Sequence, residues 1–423
     1  MEERTKTQVD TAYEDAKERY QAYGIDTDAV LARLAKVQVS MNCWQGDDVA
    51  GFEGADSITG GGILATGNYP GRARTVAELR KDAELAFSLI PGTQRFNLHA
   101  IYLDSDSAVD RDEVGPEHFA SWVDWAKGLG IGLDFNPTFF SHEKAADGYT
   151  LASYDEGIRR FWIEHGTRCR EIAAYLGREL GSPCVNNLWI PDGSKDDTTD
   201  RLRRRELLVR SLDEVFKTPF SPAETLDAVE SKLFGIGSES FVAGSHEFYL
   251  AYALTRKVLL TMDAGHYHPT EGIAEKLSAL LPFMDKVLLH VSRPVRWDSD
   301  HVVLFDDATR AVGREIIRAD ALERVILAVD FFDASINRII AWVVGLRSTT
   351  KSLLAAMLEP NELIRAAEED GRFGERLALL EESKTLPVSA VWDRFCAEQG
   401  VPIGGAWLET VRAYEQEVLL KRS

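Results

Sequence analysis

Short, apolar, β-branched runs recur along the chain. They occupy residues 37–44 ("VQVSMNCW"), 95–103, 132–140, 184–191, 226–234, 258–265, 286–292 and 324–332. Each is too short for a typical helix and too continuously apolar for a strand with one wet face, so each is predicted to be a strand buried on both sides. Between them the hydrophobic period lengthens. In residues 75–92, Val76, Leu79, Ala83, Ala86, Phe87 and Ile90 fall on one helical face. Thr75 and Glu78 fit a capping box there, and Pro91-Gly92 stops the helix. The same spacing predicts helices over 116–128, 157–179, 201–217, 246–257, 271–281, 307–319 and 335–345. Two more precede the first strand (9–22 and 26–36), and only helical patterns follow residue 346.

Strands alternating with helices argue for a parallel sheet, and eight such units are the number that closes a (β/α)8 TIM barrel. The expected fold is therefore α/β. It has N-terminal helices over 1–36, a barrel catalytic domain over 37–345, and a C-terminal helical extension over 346–423 that wraps the barrel or serves oligomerisation. An open doubly wound sheet is the competing topology, and it usually carries a glycine fingerprint after its first strand. Here that position holds "QGDDVAGFEGADSITGGGILATGNYPG" (45–71). Its glycines lack the required spacing, so it reads as a long βα loop rather than a phosphate cradle.

Composition narrows the function. The chain has 423 residues, 45% hydrophobic and 27% charged, as a globular protein does. Its 48 Lys and Arg against 68 Asp and Glu leave a formal charge of −20. Such a surface repels nucleic acid and anionic membrane. The one basic run, "RLRRRE" (201–206), reads as a solvated helix face. The charged first twenty residues contain no secretory signal, and no apolar run approaches the roughly 20 residues of a membrane span. Cys43, Cys169, Cys184 and Cys396 lie far apart, in neither a disulfide framework nor a zinc knuckle. A reduced, cytoplasmic setting is expected.

Barrel chemistry sits at the C-terminal ends of strands. The fifth strand supplies Glu230 and Lys232 there. The sixth supplies Asp263, with His266 and His268 just beyond. The seventh supplies His290, then Asp298 and Asp300, and the eighth supplies Asp330, with Asp333 beyond. Glu230, Asp263, His290 and Asp330 are spaced by about one unit each, so they come from four consecutive strands. Three carboxylates and an imidazole on one concave arc repel and are costly to bury unless a cation neutralises them. Oxygen-rich ligation with one imidazole suits Mn, Mg or Co. His266, Asp298 and Asp300 offer a second site at the same mouth. Plainer readings stand beside these. A strand-end Asp often makes a turn or a helix cap. Asp298 could pair with Arg293 or Arg296, His290 could be a core histidine, and Lys232 a salt-bridge partner. His268 precedes Pro269 and could only shape its loop. Asp333 is expected to cap the last barrel helix, with Ser335 as its rival.

The blocks "SMNCWQGDDVAGFE", "TGNYPG", "NLHAIYL", "GLDFNPTFFSH", "NLWIPDG", "VESKLFGIG", "DAGHYHPTE", "LLHVSRPVRWDSDHVV" and "DFFDASINRIIAWV" strongly resemble the L-rhamnose isomerase family over essentially the whole chain. The resemblance implies a (β/α)8 barrel, a homotetramer, two divalent metal ions per subunit, usually Mn2+, and interconversion of L-rhamnose and L-rhamnulose at the start of rhamnose breakdown. By matching motif, one metal would be held by Glu230, Asp263, His290 and Asp330, and the other by His266, Asp298 and Asp300. Asp330 and Lys232 would be catalytic. Asp330 would shuttle a proton with a metal-held water during a 1,2-hydride shift, and Lys232 would stabilise negative charge on a sugar oxygen. Trp44, His99 and Trp189 would wall the sugar site, with core packing as the plainer role of the tryptophans. The sequence departs from the family form at Asn42, where a His precedes the Cys-Trp pair. Two other readings remain: a barrel metallonuclease or hydrolase, disfavoured by the acidic charge, and a non-catalytic sugar-binding protein, which has no need of seven metal-type ligands.

Overall fold

The computed structural model describes residues 5–53, 65–232, 240–268, 270–295 and 300–422. Eight strands form a closed, all-parallel barrel: β1 (Gln38–Asn42), β2 (Thr93–His99), β3 (Gly132–Asn136), β4 (Cys184–Trp189), β5 (Thr225–Glu230), β6 (Leu259–Asp263), β7 (Val287–Val291) and β8 (Val325–Val329). Each strand pairs with its neighbours in sequence, and β8 returns to β1 through Val39↔Leu327 and Ser40↔Ala328. A short antiparallel ribbon, Gly193–Ser194 with Phe241–Val242, joins the loops after β4 and β5.

The strands stop short of the apolar runs that announce them. The run at 95–103 leaves the sheet at His99 and continues as a 3-10 turn, Ala100–Tyr102. The run at 258–265 leaves at Asp263 and turns through Ala264–His266. These residues remain buried, so their apolar character reports the packed wall of the barrel mouth and not further ladder.

The helices follow the predicted order. The helix after the first loop, Val76–Phe87, starts at Thr75, whose hydroxyl accepts from Glu78 N at 3.2 Å. Only half the capping box forms, because the Glu78 carboxylate accepts from Arg74 N instead. The last barrel helix, expected over 335–345, is Arg338–Met357. It runs on because it is buried on nearly every side. Its cap is Asn337, whose side-chain oxygen accepts from Ile339 N and Ile340 N at 3.0 and 3.2 Å. Asp333 does not cap it. Its carboxylate closes a local turn by accepting from Ser335 N and Oγ at 2.8 and 2.6 Å.

The barrel interior is divided. Val185, Ala228, Leu288 and Ala328 form an apolar plug on one side. Across from it Arg95 grips Asp134, which also accepts from Ser40 Oγ. Above these, asparagines form a ladder. Asn136 Nδ2 donates to Asn97 Oδ1 at 2.6 Å, Asn187 Nδ2 donates to Asn136 Oδ1 at 3.2 Å, and Thr261 Oγ1 donates to Asn187 Oδ1 at 2.6 Å. Satisfied in this way, buried amides are rigid supports rather than liabilities.

The C-terminal segment folds back onto the barrel. Arg422 and the Tyr414 hydroxyl both engage Asp82 on the helix after the first loop, and the Arg422–Asp82 pair is 4% exposed on each side. Burial outweighs these partners and pushes the Asp82 carboxyl up. Truncating one member leaves the other buried and uncompensated, so Arg422→Ala is expected to lose about 3–5 kcal/mol in denaturant unfolding. A loss below about 1 kcal/mol would place the pair among ordinary surface bridges. Among the described residues no helix is long and apolar enough to cross a membrane.

Candidate metal centre

Pairing register decides which strand-end side chains meet. Glu230 is level with Thr261, Asp263 with His290, and His290 with Ala328. The ligand on each next strand is therefore level or two residues on. Even steps keep every side chain on one face of the sheet, here the interior. One ligating atom from each of Glu230, Asp263, His290 and Asp330 lies within 4.8 Å of all the others. His290 Nδ1 stands 3.4 Å from Glu230 Oε1, 3.5 Å from Asp263 Oδ2 and 3.7 Å from Asp330 Oδ2.

The surrounding groups use up one oxygen each of Glu230 and Asp263 and leave the other. Glu230 Oε2 accepts from Asn187 Nδ2, the end of the asparagine ladder, while Oε1 makes no hydrogen bond. Asp263 Oδ1 accepts from Gly265 N at 2.6 Å and Ser292 Oγ at 3.0 Å, while Oδ2 makes none. Neither ring nitrogen of His290 hydrogen-bonds. Buried polar atoms are normally satisfied, so this convergence of leftover lone pairs fits a divalent cation. Asn187 and Ser292 were not singled out from the sequence. Their only signal was a polar residue inside or just after an apolar strand run.

A second group lies beside the first. His266 Nδ1 faces Ser231 O at 2.9 Å, which fixes the ring, and Nε2 stands 4.0 Å from Asp300 Oδ2. Asp263, His266 and Asp300 bring ligand atoms within 4.8 Å of one another. Asp263 thus belongs to both groups. Asp298, expected in the second set, lies outside the described residues. His268 turns away to Thr270 Oγ1 at 2.6 Å and joins neither group.

Burial pushes Asp330 up to about 8, with Asp263 and Glu230 adding to the rise and His290 opposing it. Burial opposes charge on His290, but the Glu230 and Asp330 carboxylates outweigh it and raise its pKa well above the ordinary value. Burial also works against the Asp263 carboxylate, yet His266 and His290 hold its pKa low. A bound cation needs these groups deprotonated, so binding releases protons. A raised acid keeps its proton below its folded pKa. Affinity is therefore expected to climb with pH through the range in which Asp330 and His290 give up their protons. Calorimetry at pH 7 in buffers of different ionisation enthalpy should register at least one proton released; buffer-independent heats would contradict it.

Trp44, His99 and Trp189 are joined by a chain of edge-on ring contacts. Trp44 and His99 meet edge-on with centroids 4.8 Å apart, His99 reaches Phe140 at 5.8 Å, and Phe140 reaches Trp189 at 5.5 Å. Lys232 Nζ sits 5.0 Å over the Trp189 ring. Phe140, which sequence reading left out, bridges the His99 and Trp189 rings. Asn42 and Gln45 were also missed as supports. With Trp44 they donate to the carbonyls of Phe331, Asp333 and Asp330, tying the end of β1 to the segment that carries Asp330.

Comparison with known proteins agrees with the sequence resemblance. The profile of the family described as L-rhamnose isomerase (RhaA) matches residues 7–422. The chain is 56% identical to the L-rhamnose isomerase of Citrobacter koseri over 417 residues, 99% of this chain and 100% of that protein. It is 55% identical to the Rhodopirellula baltica enzyme of the same name over 415 residues, covering 98% and 97%. For the Escherichia coli enzyme of that name, identity is 56% over 416 residues, covering 98% and 99%. With a family match across nearly its whole length and relatives at this identity, the chain belongs to the L-rhamnose isomerase family.

Proposed function

We propose that this chain interconverts L-rhamnose and L-rhamnulose with two divalent metal ions, Mn2+ foremost, at the mouth of the barrel. The observation that carries this reading is the set of buried ligand atoms left over by their own supports, in a chain of this family. Glu230, Asp263, His290 and Asp330 would hold one ion; His266 and Asp300, with Asp263 or Asp298, would hold the other. Bound there, the ions would neutralise the carboxylates and polarise the sugar's C1 and C2 oxygens.

The protein's own groups do the rest. The Asp330 side chain is 17% exposed, against 0–3% for Glu230, Asp263 and His290, so it is the ligand that faces the mouth. It would take the O2 proton and return it to O1 while the C2 hydrogen moves to C1 with its electron pair. Atoms balance: C1 gains hydrogen, O1 gains the proton, and C2 becomes the carbonyl. Lys232 would donate to a sugar oxygen and stabilise charge that grows there, as a pre-placed cation does. Trp44, His99 and Trp189 would form the apolar wall. Trp189 Nε1, buried without a hydrogen-bond partner, is a donor suited to a sugar hydroxyl. The helical segments that follow the last barrel helix would serve assembly into a homotetramer, and the enzyme would act in the cytoplasm.

The test is direct. Metal is stripped with chelator, Mn2+ is added back, and ketose formation from L-rhamnose is followed. Turnover should vanish and return with the metal, and a hydride shift should leave C1 and C2 unlabelled in D2O. Metal-independent turnover would overturn the metal assignment, and no turnover under any condition would overturn the activity.

A further inference from the structure

His99 stands in the aromatic wall, but edge-on contacts with Trp44 and Phe140 do not determine which ring nitrogen faces the mouth. A different contact does. His99 Nδ1 lies 3.1 Å from Thr138 Oγ1, and both residues are buried.

Thr138 is itself held from both sides of its backbone. Its N–H donates to His165 Nε2 at 3.0 Å, and its carbonyl accepts from Arg111 Nη1. His165 Nδ1 in turn donates to the Arg111 carbonyl at 2.8 Å, so the three residues close a ring of hydrogen bonds. Arg111 extends it, donating to Phe140 O at 3.3 Å and to Glu53 Oε2 at 2.8 Å. His165 accepts on one nitrogen and donates from the other, which requires the neutral ring; burial, then the Arg111 cation, pushes it down to about 3. His99 is likewise neutral, held down to about 3 by burial and then by Arg111. A neutral imidazole has one N–H and one lone pair and a hydroxyl can meet either, so the Thr138 contact fixes the ring's orientation and not its tautomer.

We infer that Thr138, locked by Arg111 and His165, is a positioning residue for sugar binding: its hydroxyl orients His99 so that Nε2 addresses a hydroxyl of the bound sugar. This rests on the reading of the aromatic wall as the sugar site.

Thr138→Val keeps the shape and removes the hydroxyl, whereas Thr138→Ser keeps the hydroxyl and removes the methyl. In the Mn2+-loaded enzyme, the Val variant should raise KM for L-rhamnose about tenfold with a smaller change in kcat, the size of one lost oriented hydrogen bond. The Ser variant should stay within about twofold of wild type on the same scale. Mn2+ affinity by calorimetry should be the same in all three. Should the Val variant fail to fold, Thr138→Ala replaces it with the same expectation. A hydroxyl-free variant with wild-type KM, or a Ser variant as impaired as Val, overturns the inference. Wild-type holoenzyme that neither turns over L-rhamnose nor changes its tryptophan fluorescence on adding it removes the sugar-site reading, and the inference falls with it.

Discussion

Asp263→Asn is expected to reduce turnover by more than about a thousandfold, the largest effect of any single side chain in the cluster. Among the described residues Asp263 is the one shared by both ligand groups, so its loss would strike both proposed ions together. The substitution is mild for the fold. The amide oxygen can still accept from Gly265 N and Ser292 Oγ, as Oδ1 does now. What disappears is the anionic Oδ2, replaced by an N–H2 that repels a cation. Altering a group behind a metal ligand costs about 10–100-fold in affinity, and removing the ligand's charge should cost more. Metal content after dialysis, calorimetric Mn2+ titration and kcat on L-rhamnose check this together, with far-UV circular dichroism as the control for folding. A variant that retains both ions, or a tenth of wild-type turnover, would show that Asp263 is structural.

Lys232→Met should lower kcat by about a hundred- to a thousandfold while leaving metal affinity unchanged, the size expected when a pre-placed charge stabiliser is removed from a closed site. Met keeps the length and the apolar stem and deletes the ammonium, which sits 5.0 Å over the Trp189 ring. Lys232 belongs to neither metal-ligating group, so a charge effect on chemistry and a loss of metal separate cleanly. Single-turnover kinetics with Mn2+ saturating would read the chemical step. A kcat within tenfold of wild type would assign Lys232 to packing.

Much of the candidate site was legible because barrel geometry turns sequence order into spatial order. Once the apolar runs are strands, residues at the ends of four successive strands must share an arc, and Glu230, Asp263, His290 and Asp330 do. The shared role of Asp263 was not legible. It depends on His266 turning back through Ala264–His266 to bring its ring beside Asp263, a path set by the Ser231 carbonyl on the neighbouring strand's loop. Asn337 was likewise passed over for Asp333 as a helix cap. Both are good capping types, and only the position of the first helical N–H groups distinguishes them.

By itself the sequence determined the alternation of strands and helices, the closure number, the charge of the surface and the residue types gathered at the mouth. These follow from local hydrophobic period and from composition, which every short window of the chain carries. The tertiary structure decided the rest: where each strand leaves the ladder, which oxygen of Glu230 and Asp263 is taken and which is left, and how Thr138 meets His99. Those depend on register and on hydrogen-bond partners brought from distant strands. The free energy of such contacts exists only once the barrel has closed.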